Sequence, residues 1–136
     1  MNLFSDSLGG ILAHLEYLGM AIVAVVVFVA IYVMITPYPE FKLIRQGNTA
    51  AAISLGGAIL GYTIALAKAV AQSEGIPDML LWAGVALVAQ VVGYGITRLV
   101  LKDLSSRVND GQNAAGVFLA AIAVAIGLLN AAAMTA

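Results

Sequence analysis

Eight polar side chains stand out in a chain made mostly of alanine, valine, leucine and isoleucine: Glu16, Glu40, Asn48, Lys68, Gln90, Arg98, Asn113 and Asn130. The chain is 62% apolar and 10% charged, with a mean hydropathy of +1.03. Polar groups in such surroundings are costly to place, so each is a candidate for function. Gln90 is the sharpest, because it falls near the middle of an apolar run. An amide there either makes a hydrogen bond between helices, worth about 0.6–2 kcal/mol, or lines a path for a solute. Lys68 and Glu16 suit an ion pair, although a lysine near an apolar boundary can also snorkel alone to water. Asn130 lies at a similar level and suits a tie between helices. Asn48 and Asn113 each precede an apolar run, where an asparagine N-cap satisfies otherwise orphaned N–H groups. Glu40 with Arg45, and Asp103 with Arg107, fit local salt bridges in solvated loops or a docking surface for a soluble partner. Arg98 adds a cation at that same level.

Catalytic arrangements are not found. There is no cysteine, so neither a disulfide framework nor thiolate chemistry is available. His14 is the single histidine, and one near an interface is more simply a tolerated polar residue than a ligand or proton carrier. Neither H-E-x-x-H nor G-x-S-x-G occurs, and the glycines do not form a phosphate loop. No two carboxylates face one another within an apolar run. The expectation is a protein that is not an enzyme and uses no cofactor or metal. A net charge of −1 gives no reason to expect a nucleic-acid partner.

What positions these side chains follows from the apolar runs. Crossing a hydrocarbon core of about 30 Å takes roughly 20 predominantly apolar residues. Segments 17–36, 49–71, 79–101 and 113–135 qualify, which predicts an all-α integral membrane protein with four transmembrane helices. Pro37 and Pro39 end the first span, and QSEGIPD turns the chain between the second and third. Of six Lys and Arg, Lys42, Arg45, Arg98, Lys102 and Arg107 fall in or beside the 37–48 and 99–112 loops. The positive-inside rule then puts those loops in the cytoplasm and both termini outside, with Lys68 toward the outer face. Leu3, Phe4, Leu8, Ile11, Leu12 and Leu15 recur at helical spacing. They predict an N-terminal amphipathic helix that lies on the outer leaflet or extends the first span, with Ser5 or Asp6 as its N-cap. The N-terminus lacks the basic region of a cleavable signal peptide.

Shifted by 65 residues, the chain lines up with itself: YLGMAIVAVVVFVAI falls on WAGVALVAQVVGYGI, and Asn48 falls on Asn113. A single membrane domain, 1–136, is therefore expected to hold two parallel two-helix repeats, about 17–71 and 79–135, related by a pseudo-two-fold axis along the membrane normal. Helices in lipid associate by close packing, which small residues permit. Gly57, Gly61 and Ala65 share a face in the second span, and Ala123, Gly127 and Ala131 share one in the fourth. Spans two and four are accordingly expected inside, with the bulky aliphatic and aromatic residues of spans one and three facing lipid. Tyr17 and Trp82 fit the outer aromatic belt.

Several stretches together, ITPYPEFKLIRQGNTAAA, LGYTIALAKA, IPDMLLWAGVALVAQ, QNAAGVFL and GLLNAAAMT, resemble the YjfL-like bacterial membrane proteins, domain-of-unknown-function family 350. The likeness runs from about residue 17 nearly to the end, and Glu40, Asn48, Gln90, Arg98, Asn113 and Asn130 match the family's polar pattern. The resemblance implies a small bacterial inner-membrane (plasma-membrane) protein built of two copies of a two-span unit, and it supplies no activity or substrate. Packing residues outnumber chemical ones. The first expectation is thus a non-enzymatic component that forms a homo-oligomer or binds a membrane or peripheral protein partner. The second is a channel or carrier for an ion or small solute, with its path formed between protomers because four thin helices enclose little volume.

Overall fold

The described residues form four long helices and two short ones, with proline or glycine at every break except Leu101-Lys102-Asp103. The computed structural model describes residues 3–135, in which the order is α1 (Leu3–Ile35), α2 (Glu40–Arg45), α3 (Thr49–Gln72), α4 (Ile76–Val100), α5 (Leu104–Asn109) and α6 (Asn113–Ala133). Helices α1, α3, α4 and α6 are long and apolar enough to cross a membrane, and they match the four expected spans. The start of α1, the end of α6 and the 73–75 turn lie at one end of the bundle, here the turn end. Helices α2 and α5 lie at the other, the short-helix end.

Helix α1 takes in the N-terminal segment as an extension of the first span, one of the two expected arrangements. Nothing between Leu3 and Ile35 lacks an N–H, so the N-terminal segment runs unbroken into the first span. Its 33 residues reach about 50 Å, well beyond the roughly 30 Å of a hydrocarbon core. Side chains from 3 to 16 are all exposed. Ser5 and Asp6 fall inside the helix rather than at its cap, correcting that expectation.

At the short-helix end, α2 and α5 are each followed by a glycine in the left-handed region, Gly47 (φ +85°) and Gly111 (φ +82°), a conformation that side chains disfavour. Asn48 then caps α3 as expected, its Oδ1 accepting from the Ala51 N–H at 3.0 Å. Its Nδ2 donates to the carbonyls of Val108 (3.0 Å) and Asn109 (3.3 Å), tying the two loops together. Asn113 does not cap α6. It is the first helical residue, and Gln112 holds the cap position without a side-chain hydrogen bond: both helices begin two residues after their glycine, so the residue that corresponds to Asn48 is Gln112.

Helices α3 and α6 pack most closely, running parallel. A methyl group added to Gly61 would run into the Ala123 carbonyl, and one added to Gly127 into the Gly61 carbonyl. Gly57 against Ala120 and Gly116 against Ala50 continue the contact. Helix α3 is the most enclosed, flanked by α1, α4 and α6, whereas α1 scarcely touches α6. The bulky residues of the first and third spans are not all turned to lipid. Val26 and Val27 are exposed, but Phe28, Tyr32 and Tyr94 are buried. Phe28 stacks on Tyr62 at 4.4 Å between ring centres, and Tyr32 meets Tyr94 edge-on at 5.4 Å. Small residues on α3 leave a narrow core, and rings from α1 and α4 fill the space beside it.

Candidate functional site

Behind Pro37 and Pro39, the chain folds Tyr38 and Glu40 back against the bundle. Glu40 is the first residue of α2, and only 2% of it is exposed. Neither carboxylate oxygen has a hydrogen-bond partner. The hydroxyls of Tyr38, Ser54 and Tyr94 are likewise buried and unpartnered. They come from the loop, α3 and α4 respectively, so three separate elements converge. Tyr32 adds a third ring, and Glu40 lies within electrostatic reach of Tyr32, Tyr38 and Tyr94. Thr36 is beside the carboxyl, with its proton given to the Val33 carbonyl at 3.2 Å.

Such a carboxyl is at odds with its surroundings. A charge taken out of water is strongly unfavourable unless it is paired, and among the described residues no ion pair reaches Glu40. Burial pushes the Glu40 carboxyl from its ordinary 4.5 up to about 7, with the Thr36 hydroxyl opposing the shift. Burial, with the Glu40 charge beside it, also raises the Tyr38 phenol above its ordinary range. The group can hold a proton at neutral pH or accept a counter-cation, and the surrounding hydroxyls can serve either.

This corrects the expectation that Glu40 sits in a solvated loop paired with Arg45. The two are five residues apart on α2, which puts them on opposite sides, Glu40 inward and Arg45 exposed. Asp103 and Arg107 have the favourable four-residue spacing and do pair, at 2.7 Å on a half-exposed surface.

The other singled-out residues stay apart from this cluster. Gln90 is buried near the middle of α4, and its Nε2 donates to the Ala123 carbonyl of α6 at 2.9 Å. That is the interhelical bond expected of it. Beside it lies a cavity lined by Tyr32, Gln90, Tyr94 and Thr97, with room for about one water. Arg98 is exposed on the last turn of α4, close enough for its charge to act on Tyr94. No ion pair joins Glu16, which is exposed, to Lys68, which is half-buried. Asn130 has its Nδ2 buried without a partner, so it makes no direct tie between helices.

Sequence reasoning passed over Tyr32, Tyr38, Ser54 and Tyr94. Their signal is positional: Tyr32, Ser54 and Tyr94 all lie within about two helical turns of the short-helix end. The Pro37–Tyr38–Pro39 corner brings the loop's own phenol to the same level.

The family model described as Domain of Unknown Function (DUF350) matches residues 6–134. The chain is 39% identical over 128 residues to the UPF0719 inner membrane protein YjfL of Escherichia coli (strain K12), covering 94% of this chain and 97% of that one. The UPF0719 transmembrane protein YshE of Bacillus subtilis (strain 168) is 24% identical over 118 residues, 85% of this chain and 88% of its own. No solved structure matches. The chain belongs to the DUF350 family.

Proposed function

We propose that this DUF350-family protein is a non-enzymatic inner-membrane component that works by assembling with copies of itself or with a membrane partner. The observation behind the reading is a groove formed by α3 and α6 alone. Ile53, Gly56, Leu60, Val117, Ala121 and Val124 line it, and the space over Gly56 is open. Neither α1 nor α4 contributes to it, so this face is left to the bilayer or to another helix. Small residues let a second helix approach closely where lipid offers no competing hydrophobic gain. The chain has no cysteine, which makes the test direct. A single cysteine at Ala121 should crosslink copies in native membranes, one at Val27 should not, and Gly56→Leu should abolish the crosslink. Equal crosslinking at the two sites would remove the reading.

The same proposal places the short-helix end in the cytoplasm and both termini in the periplasm, supported by the five cations gathered there. Cysteines at Gln46 and Asp110 should then resist an impermeant thiol reagent in intact cells, while one at Glu74 is labelled. The two-repeat organisation is supported by the common sequence register and by left-handed glycines that precede α3 and α6 by the same two residues, at an offset of 64 rather than 65. Nucleic acid is not among the partners proposed, given the weakly acidic charge.

A second reading, a channel or carrier for an ion or small solute, is favoured by one observation, the unpaired carboxyl and hydroxyls around Glu40. Flux into proteoliposomes, compared with Glu40→Gln and Gln90→Val proteins, discriminates the two. No flux for a panel of monovalent ions and small amines would discard transport.

A further inference from the structure

Around Glu40 the bundle gathers oxygen atoms that no protein group satisfies. Buried polar groups are almost always hydrogen-bonded, so four unsatisfied side chains at one end require an account. They are Glu40 (2% exposed), Tyr38 (5%), Ser54 (1%) and Tyr94 (8%). None is a stray surface group. Ser54 adjoins Tyr38 and Tyr32, while Glu40 acts on Tyr38 and Tyr94. Ser54 is near enough to Tyr38 and Tyr32, and Ser105 to Tyr94, to interact, yet none of the four side chains completes a well-formed hydrogen bond.

We propose that Glu40, with the hydroxyls of Tyr38, Ser54 and Tyr94, forms a binding site for one alkali-metal cation at the short-helix end of the bundle. The donor set selects the class. Hard cations take oxygen ligands, and every group here offers oxygen alone. The Thr36 hydroxyl, beside the carboxyl and the Val33 carbonyl, offers a further oxygen. One carboxylate neutralises one positive charge, whereas a divalent ion would leave a buried excess. No group of three or more metal-ligating His, Cys, Asp or Glu exists among the described residues to offset it.

A proton competes for the same place, because a desolvated carboxyl binds either. The titratable and charged groups around it are few. Helix α1 contributes Tyr32, the loop Tyr38, and α4 Tyr94, with Arg98 acting on Tyr94 from the exposed side. Helices α3 and α5 contribute the uncharged Ser54 and Ser105. Among the described residues no cation of the protein pairs with Glu40, and Arg107 is held by Asp103. This inference does not depend on whether copies assemble.

The test uses the full chain in lipid nanodiscs. Thermal unfolding is followed in lithium, sodium, potassium and N-methylglucamine chlorides at equal ionic strength, at about pH 8.5 and about pH 5.5. At the higher pH at least one alkali cation should raise the midpoint saturably by several degrees over N-methylglucamine. Protonation should remove most of that difference at the lower pH. Glu40→Gln fills the same volume without charge and should abolish it at both. Identical curves in all four salts overturn the site, as does a cation response that survives Glu40→Gln. Should that variant not fold, equilibrium dialysis of the unaltered protein with radioactive sodium and rubidium decides. About one ion per chain, displaced by acid, supports the site, and no retained ion overturns it.

Discussion

The two ends of the bundle treat polar side chains in opposite ways. At the short-helix end, Asn48 bridges to the Val108 and Asn109 carbonyls, and Tyr38 and Glu40 are folded inward beside Tyr32 and Tyr94. At the turn end, α1 draws away from α3 and leaves an apolar crevice of about 480 Å³, walled by Tyr17, Ile22, Val25, Leu66 and Val70. Glu16, Lys68 and Asn130 are distributed around that end without pairing. Loops explain the difference. Short helices folded back against the bundle supply partners and cover, whereas a three-residue turn supplies neither. A polar residue near a membrane boundary is informative only when something is available to enclose it.

The largest effect should come from the close crossing that both ends share. Gly61→Leu puts a side chain where the Ala123 backbone already stands, with Gln90 Nε2 2.8 Å from the new Cβ. Over-packing costs about 1–3 kcal/mol in a core that can shift, and helix backbone shifts poorly, so the loss should reach or exceed the top of that range. Val27→Leu adds one methylene on a face that is 47% exposed and should stay within about 0.5 kcal/mol. Unfolding in a denaturing detergent compares the two, and equal losses would undo the assignment of α3 as the inner helix.

Next in size is the buried carboxyl, whose behaviour sharpens the contrast between the ends. Unfolded, Glu40 titrates near 4.5, and in the fold near about 7, so the native state holds the extra proton between those values. Its stabilising protonated form is complete below the lower value. That contribution is lost as pH rises through the higher one, leaving a deficit of about 3 kcal/mol. Without alkali cations, Glu40→Gln should therefore match the parent in acid and exceed its stability by up to that amount above neutrality. A stability gap independent of pH would mean that the carboxyl is solvated.

Gln90→Val should lose less, about 1 kcal/mol, because one hydrogen bond between α4 and α6 disappears while the volume is nearly kept. A loss as large as that of Gly61→Leu would mean that the amide, rather than backbone proximity, holds the crossing.

Much of this was legible before any coordinates. Apolar runs bounded by Pro37, Pro39 and Gly75 place the four spans, and Gly57, Gly61 and Gly127 single out the helices that approach most closely. Asn48 and Gln90 behave as their positions suggest. The burial of Glu40 was not legible, because local spacing describes a helix face and not what lies against it. Its enclosure depends on Tyr32, Ser54 and Tyr94, which come from three different helices. The same blindness led the inward rings of α1 and α4 to be read as lipid-facing.

The smallest effect belongs to the turn end, and it separates nearness in depth from contact. The first span descends past Glu16 while α3 rises to Lys68, so antiparallel neighbours bring the two to one level and invite an ion pair. The structure keeps them apart. Glu16 lies on the stretch of α1 that stands clear of the bundle, and the crevice between α1 and α3 intervenes. An ion pair needs its atoms within about 4 Å, and even an exposed pair that forms is worth only about 0–1 kcal/mol. Lys68→Met and Glu16→Gln should therefore be additive in a double-mutant cycle, within about 0.3–0.5 kcal/mol. Lys68 then reaches water on its own, its stem lying along apolar surface. Coupling clearly above that margin would show that α1 closes onto α3 in the bilayer, and the turn end would then be as tightly joined as the other.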